Sequence, residues 1–312
     1  MRLLLIVNAS ASSVTARARV VIQKSLAADH EVTVAETSRR GHASRLAQSA
    51  AAKGTEAVIV LGGDGTLNEA ANGLAGTACA LGVLPGGSTN VFARTIGMTN
   101  DPIEATGELL GALGAGPGRI RPISVGNVNG RHFLFHVGIG FDAAVVAQVE
   151  RRAALKRYLG HAYFTYAAFD TWARHYDRRH PHFAVEVERR DGQKVAIEDG
   201  YFAICLKTNP YTFLGERPFD VAPGTGLDTP LSVVVLRSLS ALTMVGLTLA
   251  ALRGGDAFSR RRKVTLVDDV VAAVIHPYAP VPYQVDGDHL GDTDDLSFRW
   301  EPDHLRLIVP TP

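Results

Sequence analysis

Two glycine turns constrain this chain more than anything else in it. Each ends a buried apolar strand and opens a helix. Ala57-Val58-Ile59-Val60-Leu61 runs into Gly62-Gly63-Asp64-Gly65-Thr66, and a helical pattern starts near Leu67. Gly82-Val83-Leu84 runs into Pro85-Gly86-Gly87-Ser88-Thr89-Asn90, followed by the helix-like Val91-Phe92-Ala93-Arg94. Glycine lets a backbone approach an anion closely, and the first N–H groups of a helix favour its charge. Asp64 is the sole acid in the first turn. It would oppose a bare phosphate and is explained by a Mg2+ ion held between carboxylate and phosphate. Ser88, Thr89 and Asn90 can donate to phosphate oxygens or ligate Mg2+ through water. Taken singly, the first turn also reads as a solvated loop and the second as a helix cap. Together they predict one crevice at the carboxyl ends of a parallel sheet.

The surrounding pattern agrees. Strands are expected at Leu3–Val7, Glu31–Ala35, Ala57–Leu61 and Ala80–Leu84. Helices are expected at Val14–Ala27 (capped by Ser12 or Ser13), Ala43–Ala52, Leu67–Leu74 and Ile103–Leu113. This alternation predicts a parallel sheet covered on both faces. A Gly- and Pro-rich stretch, 111–122, reads as a domain boundary. Beyond it come short strands: Ile120–Val128, Arg131–Val137, Phe183–Arg189, Lys194–Ile197, Tyr201–Leu206, Leu231–Leu236, Lys263–Asp268, Val270–His276 and Pro282–Val285. Asn129-Gly130 and Asp191-Gly192 are hairpin signals. Many strands with few helices predict an antiparallel sandwich. Helices are expected at 142–176, broken near Gly160, and at 239–252. Leu305–Val309 reads as a terminal strand.

With 312 residues the chain can bury one large core or two smaller ones. A net charge of +1 gives no global bias toward nucleic acid. Cys79 and Cys205 lie in apolar stretches and form neither a disulfide framework nor a metal spacing. Met1–Asn8 reads as a strand rather than a secretory segment, so a reducing cytoplasm is the expected setting. Leu231–Leu252 is apolar but contains Arg237, Ser and Thr, which argues against a membrane span. Tyr158, Tyr163, Phe164, Tyr166, Phe169, Trp172 and Tyr176 crowd one region, interleaved with Lys156, Arg157, Arg174, Arg178 and Arg179. Arg260-Arg261-Arg262-Lys263 is a second basic run. Both suit a membrane surface, and both also read as solvated faces of packed elements.

At this point the residues resemble a family, the diacylglycerol kinase catalytic family, which includes bacterial lipid kinases and the related sphingosine and ceramide kinases. Gly62 to Glu69 (GGDGTLNE) is similar to its nucleotide motif and Pro85 to Arg94 to its second loop. Gly138-Ile139-Gly140-Phe141-Asp142 resembles its middle motif, and Val285-Asp286-Gly287-Asp288 its C-terminal motif, in the same order and spacing. The GGDG element is shared with NAD kinases and phosphofructokinases; the second and fourth motifs argue against those two. The resemblance implies an α/β nucleotide-binding domain of NAD-kinase/phosphofructokinase type over 1–120. It implies an antiparallel β-sandwich lipid-substrate domain over 121–299, a segment at about 300–312 returning to the first domain, and an active site in the cleft between them.

The resemblance also implies chemistry. ATP and Mg2+ are the expected cofactors, and a lipid hydroxyl the acceptor of the γ-phosphoryl group. Diacylglycerol comes first, with sphingoid or other long-chain lipids as the alternative. Contacts to nucleotide are expected from Asn8, Thr37, Gly62, Gly63, Asp64, Gly65, Thr66, Gly86, Gly87, Ser88, Thr89, Asn90 and Asp286. Asp64 is the expected metal ligand. Asp64 and Asp288 are the catalytic candidates, and the base role stays open between them. Asp142 either faces the acceptor hydroxyls or caps the helix Ala143–Arg151. Asp286-Gly287-Asp288 also reads as a plain hairpin turn. Thr37 or Ser38 reads equally as a helix cap, His42 as a helix-start residue and Asp228 as structural. The chain departs from the family at Asp288, where most members have Glu, and at Val91, where bacterial members often have Asp. It departs again at Ala9-Ser10, where Pro and then Gly are usual. The expected partner is a lipid at a membrane surface, with no nucleic acid and a homodimer left open. The expected location is cytoplasmic with peripheral membrane association. Two rival readings are an NAD-kinase-like enzyme and an ATP- or lipid-binding protein without catalysis.

Overall fold

The computed structural model describes residues 1–114, 119–151, 167–168 and 170–310, the side chains at 150, 151 and 175 excepted. The chain divides into two compact units, Met1–Val125 with Glu301–Pro312, and Gly126–Trp300.

The first unit alternates strand and helix: β1 (Arg2–Val7), α1 (Ala16–Ala27), β2 (Glu31–Glu36), α2 (His42–Ala52), β3 (Ala57–Gly62), α3 (Asp64–Leu74), β4 (Ala80–Pro85), α4 (Val91–Thr95) and α5 (Pro102–Gly114). The strands are parallel in the order β4-β3-β1-β2. Arg306 and Leu307, near the chain's end, add a further parallel strand beside Ala80 and Leu81 of β4. β3 and β4 are buried along their whole length, which is why they read as unbroken apolar runs rather than alternating ones. β2, at the edge, keeps Glu31, Thr33 and Glu36 exposed. The order turns in opposite directions from β1, so a topological switch point lies between β1 and β3. α1 starts later than expected. Its cap is Thr15, whose hydroxyl accepts from Ala18 N–H at 3.1 Å, not Ser12 or Ser13.

The second unit is strand-rich. β5 (Ile120–Val128) enters it and forms a hairpin with β6 (Arg131–Phe133) through Asn129 and Gly130, both at positive φ. β7 (His136–Gly140), α6 (Phe141–Arg151), β8 (Phe183–Arg189), β9 (Lys194–Gly200) and β10 (Phe202–Leu206) follow. A small hairpin of β11 (Thr212–Leu214) and β12 (Arg217–Phe219), β13 (Leu231–Leu236), α7 (Ala241–Arg253), β14 (Val264–Pro277), β15 (Val281–Val285), β16 (Asp288–Thr293) and the first residues of β17 (Leu296–Ile308), up to Trp300, complete it. Strands run antiparallel in the order β16-β15-β7-β10-β13-β14. Alternate side chains serve two cores. Ala203, Cys205, Val233 and Val235 join Phe133, Phe183 and Phe298 on one face. Ile204, Leu206, Val234 and Leu236 join Phe141 of α6 and Leu247 of α7 on the other.

Three expectations for this unit need correction. The two strands placed at 263–268 and 270–276 are one, because Asp269 takes positive φ within β14 rather than turning the chain. The strand expected at 131–137 is broken at Leu134-Phe135, for a reason given below. The strand β16 and the β11–β12 hairpin were not foreseen. Of the aromatic and basic stretch, Lys156, Arg157, Tyr158, Gly160, Tyr163, Phe164, Tyr166 and Phe169 lie outside the described residues. Among the described residues no helix is long and apolar enough to cross a membrane.

Candidate functional site

The parallel strands of the first unit bring four loops to one end of the sheet. Asn8 follows β1, Thr37 follows β2, Gly62-Gly63 end β3 and Pro85-Gly86 end β4. Thr37 N–H donates to Val7 carbonyl at 2.9 Å, and Asn8 N–H to Leu61 carbonyl at 3.0 Å, so the loops leave the sheet in register. Asn8 Nδ2 then donates to Thr66 Oγ1 at 2.9 Å, which ties the first loop to the start of α3.

The two glycine turns pack on each other. A Cβ on Gly86 would meet Gly62 Cα and N at 2.8 Å, and one on Gly87 would meet Gly63 Cα at 2.8 Å. Gly86 N–H donates to Gly62 carbonyl at 2.8 Å. Backbone against backbone is an approach only glycine allows. Loop packing is therefore sufficient reason for these glycines, beside any approach of phosphate. Ser13 does not cap α1 but braces the second turn: its N–H donates to Gly86 carbonyl and its Oγ to Gly87 carbonyl.

Asp64 lies in the first turn of α3. Its two oxygens accept from Val91 N–H at 2.9 Å and Phe92 N–H at 3.1 Å. The carboxylate thus caps α4, the short helix after the second turn. Glu69, in the same motif, does the same for α2: it accepts from Gly41 N–H at 2.7 Å and Ala43 N–H at 3.1 Å. That corrects the expectation of a cap at Thr37 or Ser38, since Gly41 is the N-cap residue and makes no side-chain cap bond. His42 does start α2, and its Nδ1 accepts from Ser38 N–H at 3.1 Å. Asn90 is buried at φ 49°. Its amide accepts from Gly87 N–H and donates to Gly87 carbonyl and Asn100 Oδ1, so it holds the turn's shape. Ser88 is exposed and Thr89 half-buried.

This donor set fits a nucleotide's phosphates. The N-cap of α3 is Gly63, which has no side chain to cap the helix. Ser88 and Thr89 offer hydroxyls, and Asn8 and Thr66 stand at the mouth of the turn. Asp64 is a hard oxygen ligand of the kind Mg2+ takes.

The acids expected from the later motifs are in the second unit. Asp286 and Gly287 form the hairpin turn between β15 and β16, both at positive φ. The Asp286 carboxylate is turned inward. It accepts from Leu134 N–H at 2.8 Å, Phe135 N–H at 3.0 Å and His136 N–H at 3.1 Å, and the residue is 2% exposed. These three bonds break the strand expected at 131–137. They give Asp286 a bracing role within its unit. Asp288 is partly exposed and accepts from Arg131 Nη2 at 3.1 Å.

Asp142 is buried in the first turn of α6. Tyr211 hydroxyl donates to one oxygen and Gln284 Nε2 to the other at 2.7 Å. It does not cap its own helix. Burial raises its pKa, against the opposing pull of those two hydrogen bonds. Gly138 is required beside it, because any Cβ there would collide with Asp142 Oδ2. The His136 ring lies 4.4 Å from that of Tyr211, and burial depresses its pKa to about 3. Lys207, also buried, donates to the carbonyls of Gly226, Leu227 and Thr229. Burial pulls its pKa down to about 7, and nearby Asp228 pulls the other way. Glu69, Tyr211, Arg131 and Lys207 were not singled out from sequence. Each acts on a partner far along the chain, which no local pattern records.

Residues 2–128 match the family model of the diacylglycerol kinase catalytic domain. This segment is therefore similar to the diacylglycerol kinase catalytic domain. A diacylglycerol kinase of Bacillus subtilis (strain 168) is 39% identical over 122 residues, which is 38% of this chain and 39% of that protein. A protein of Pseudomonas aeruginosa PAO1 named probable lipid kinase YegS-like is 36% identical over 163 residues, 51% of this chain and 50% of the relative. The chain thus spans half or less of the length of these curated relatives. A solved structure of a diacylglycerol kinase from Bacillus anthracis str. Sterne aligns over 100% of this chain and 97% of its own, with a TM-score of 0.75 and 24% identity. That likeness speaks for the fold.

Proposed function

We propose that this protein is an ATP- and Mg2+-dependent lipid kinase that transfers the γ-phosphoryl group to a lipid hydroxyl, diacylglycerol being the first acceptor and phosphatidic acid the product. The observation that carries the reading is the pair of mutually packed glycine turns at the carboxyl ends of β3 and β4, with Asp64 joining one turn to the helix behind the other. The family match and the names of the relatives support it. A first domain of NAD-kinase type and a β-sandwich second domain belong to the same proposal.

The residues divide the work. The start of α3 and the hydroxyls of Ser88 and Thr89 receive the phosphates. Asn8 and Thr66 fix the mouth of the turn. Asp64 would hold Mg2+ through its carboxylate, which also keeps α4 in place. Mg2+, when bound, neutralises charge on the phosphates. Asp288 takes the proton from the acceptor hydroxyl, with Arg131 setting its orientation. Asp64 is the alternative base. Val91, in place of an acid, keeps sphingoid and other long-chain alcohols open as acceptors. Peripheral membrane contact from the cytoplasm follows from a membrane-borne substrate.

The test is transfer from labelled ATP to a panel of lipids in mixed micelles, with NAD as a control acceptor. A labelled lipid in the wild type, lost in Asp64→Ala, supports the kinase reading. Asp288→Asn should lower kcat about 10²-fold or more with little change in ATP KM. Labelled NAD with no labelled lipid would overturn the proposal in favour of a soluble-nucleotide kinase.

A further inference from the structure

Helix α7 presents apolar side chains on two opposite faces. Met244, Leu247, Ala250 and Ala251 pack into the second core of its unit. Leu242, Val245 and Leu249 stand on the other side, 89%, 61% and 53% exposed. Their i, i+3, i+7 spacing makes one continuous stripe. The helix carries a single charged side chain, Arg253, in its last turn. An outward helix face is ordinarily polar, and a contiguous exposed apolar stripe marks a surface that meets something.

The chemistry of the flank says what it meets. Arg260, Arg261, Arg262 and Lys263 are all exposed. They lie along the helix: a Cβ on Gly246 would sit 3.6 Å from Arg261 Nη1, one residue from Val245. The acids nearby are few. Asp256 pairs with Arg260 at 3.2 Å, and Asp199 pairs with Arg237 at 2.6 Å. Aliphatic side chains beside the exposed guanidinium groups of Arg261 and Arg262 match an anionic lipid surface, with its apolar interior under a layer of phosphates. A second copy of this chain is a poorer occupant, since it would bring two basic clusters together.

We propose that the α7 stripe, with the Arg260–Lys263 run beside it, docks this protein on anionic bilayers. Leu242, Val245 and Leu249 enter the headgroup boundary and the arginines bind lipid phosphates. The purpose assigned to this contact rests on the lipid-kinase reading; the contact itself is measured without turnover.

The experiment is co-sedimentation with vesicles of phosphatidylglycerol and phosphatidylcholine, against phosphatidylcholine alone, at low and high salt. Wild type should bind the anionic vesicles and release with salt. The triple variant Leu242→Ser, Val245→Ser, Leu249→Ser should bind at least tenfold more weakly with an unchanged melting temperature, because these side chains are outside the core. Each arginine near an anionic surface contributes about fivefold, so Arg260→Gln with Arg261→Gln and Arg262→Gln should lose about 10²-fold. Wild-type binding by the serine variant, or no wild-type binding at low salt, would overturn the proposal. So would a wild-type dimer that the serine variant breaks while vesicle binding stays. Turnover of short-chain diacylglycerol in micelles separates the two readings. If docking fails, turnover persists without vesicle binding; if the kinase reading fails, vesicle binding persists without turnover.

Discussion

Asp286 offers the sharpest contrast between what its motif suggests and what its side chain does. Replace it with alanine. Three N–H groups, on Leu134, Phe135 and His136, lose their acceptor at a site where Asp286 is 2% exposed. A hydrogen bond to a charged group is worth roughly 1.5–3 kcal/mol, and stranded buried donors add their desolvation penalty. The three share one carboxylate and do not add, so the loss is about 3–5 kcal/mol. For a unit of this size each kcal/mol shifts Tm by about 2–4 °C, giving a fall of about 10 °C. Asp286→Asn should fall about half as far. Its remaining oxygen can serve Phe135 and His136, but its NH2 group would face Leu134 N–H, donor to donor. The assay is thermal unfolding followed by near-ultraviolet circular dichroism, with ATP KM measured below the transition. An alanine variant that melts within about 1 °C of wild type while its ATP KM rises tenfold would refute the bracing role and make Asp286 a nucleotide ligand.

Three further outcomes are expected. His136 has its pKa depressed to about 3, so below its unfolded value of about 6.5 the unfolded chain takes up a proton that the folded one refuses, and stability falls with acid by up to about 1.4 kcal/mol per pH unit. Asp142 has a raised pKa, so the folded chain keeps a proton that the unfolded one loses above the ordinary Asp value of 3.8, and stability falls as pH rises through that window. The two offset each other where the windows overlap. Urea midpoints measured between pH 4 and 6.5 should therefore tilt toward acid lability in Asp142→Asn and the opposite way in His136→Phe; parallel profiles would sink both assignments. Gly86→Ala puts a Cβ 2.8 Å from the Gly62 backbone, so a loss of about 1–3 kcal/mol with a raised ATP KM is expected, and an unchanged variant in both respects would mean the turns are not locked. Glu69→Ala removes the acceptor for Gly41 and Ala43 N–H and should destabilise by about 1–2 kcal/mol, read as a Tm shift that Glu69→Gln partly restores.

Much of the first unit is legible in sequence because its strands are buried on both faces. Leu3–Val7, Ala57–Leu61 and Ala80–Leu84 are unbroken apolar runs for that reason. Hairpins are legible where Asn-Gly takes the positive φ values such turns require, as at Asn129-Gly130. What escapes is any bond between distant segments. Asp286 reaches Leu134, Phe135 and His136 across some 150 residues of chain and stops one strand where periodicity continues it. Asp269 adopts the same positive φ as a turn residue, yet β14 runs on through it, because its two halves pair with different neighbours. Thr15 rather than Ser13 caps α1, and nothing local separates two hydroxyls so close together; Ser13 is claimed by the second glycine turn.

Three of the motif acids share one device. Asp64 caps α4, Glu69 caps α2 and Asp286 caps a strand break, each by accepting backbone N–H groups of a different segment. A carboxylate does this better than an amide because it accepts on both oxygens and carries the charge that helix N-termini favour. An acid in such a motif is therefore required for structure before any metal or proton is considered. For a carboxylate the two demands are compatible, since its two oxygens offer about four lone-pair sites in all. The consequence concerns inference from mutation. Loss of turnover in Asp64→Ala alone cannot distinguish a lost ligand from a displaced α4, whose N-terminal residues Val91 and Phe92 follow directly on the Ser88-Thr89-Asn90 turn. The Mg2+ dependence of turnover can, because a cap has no reason to respond to the ion.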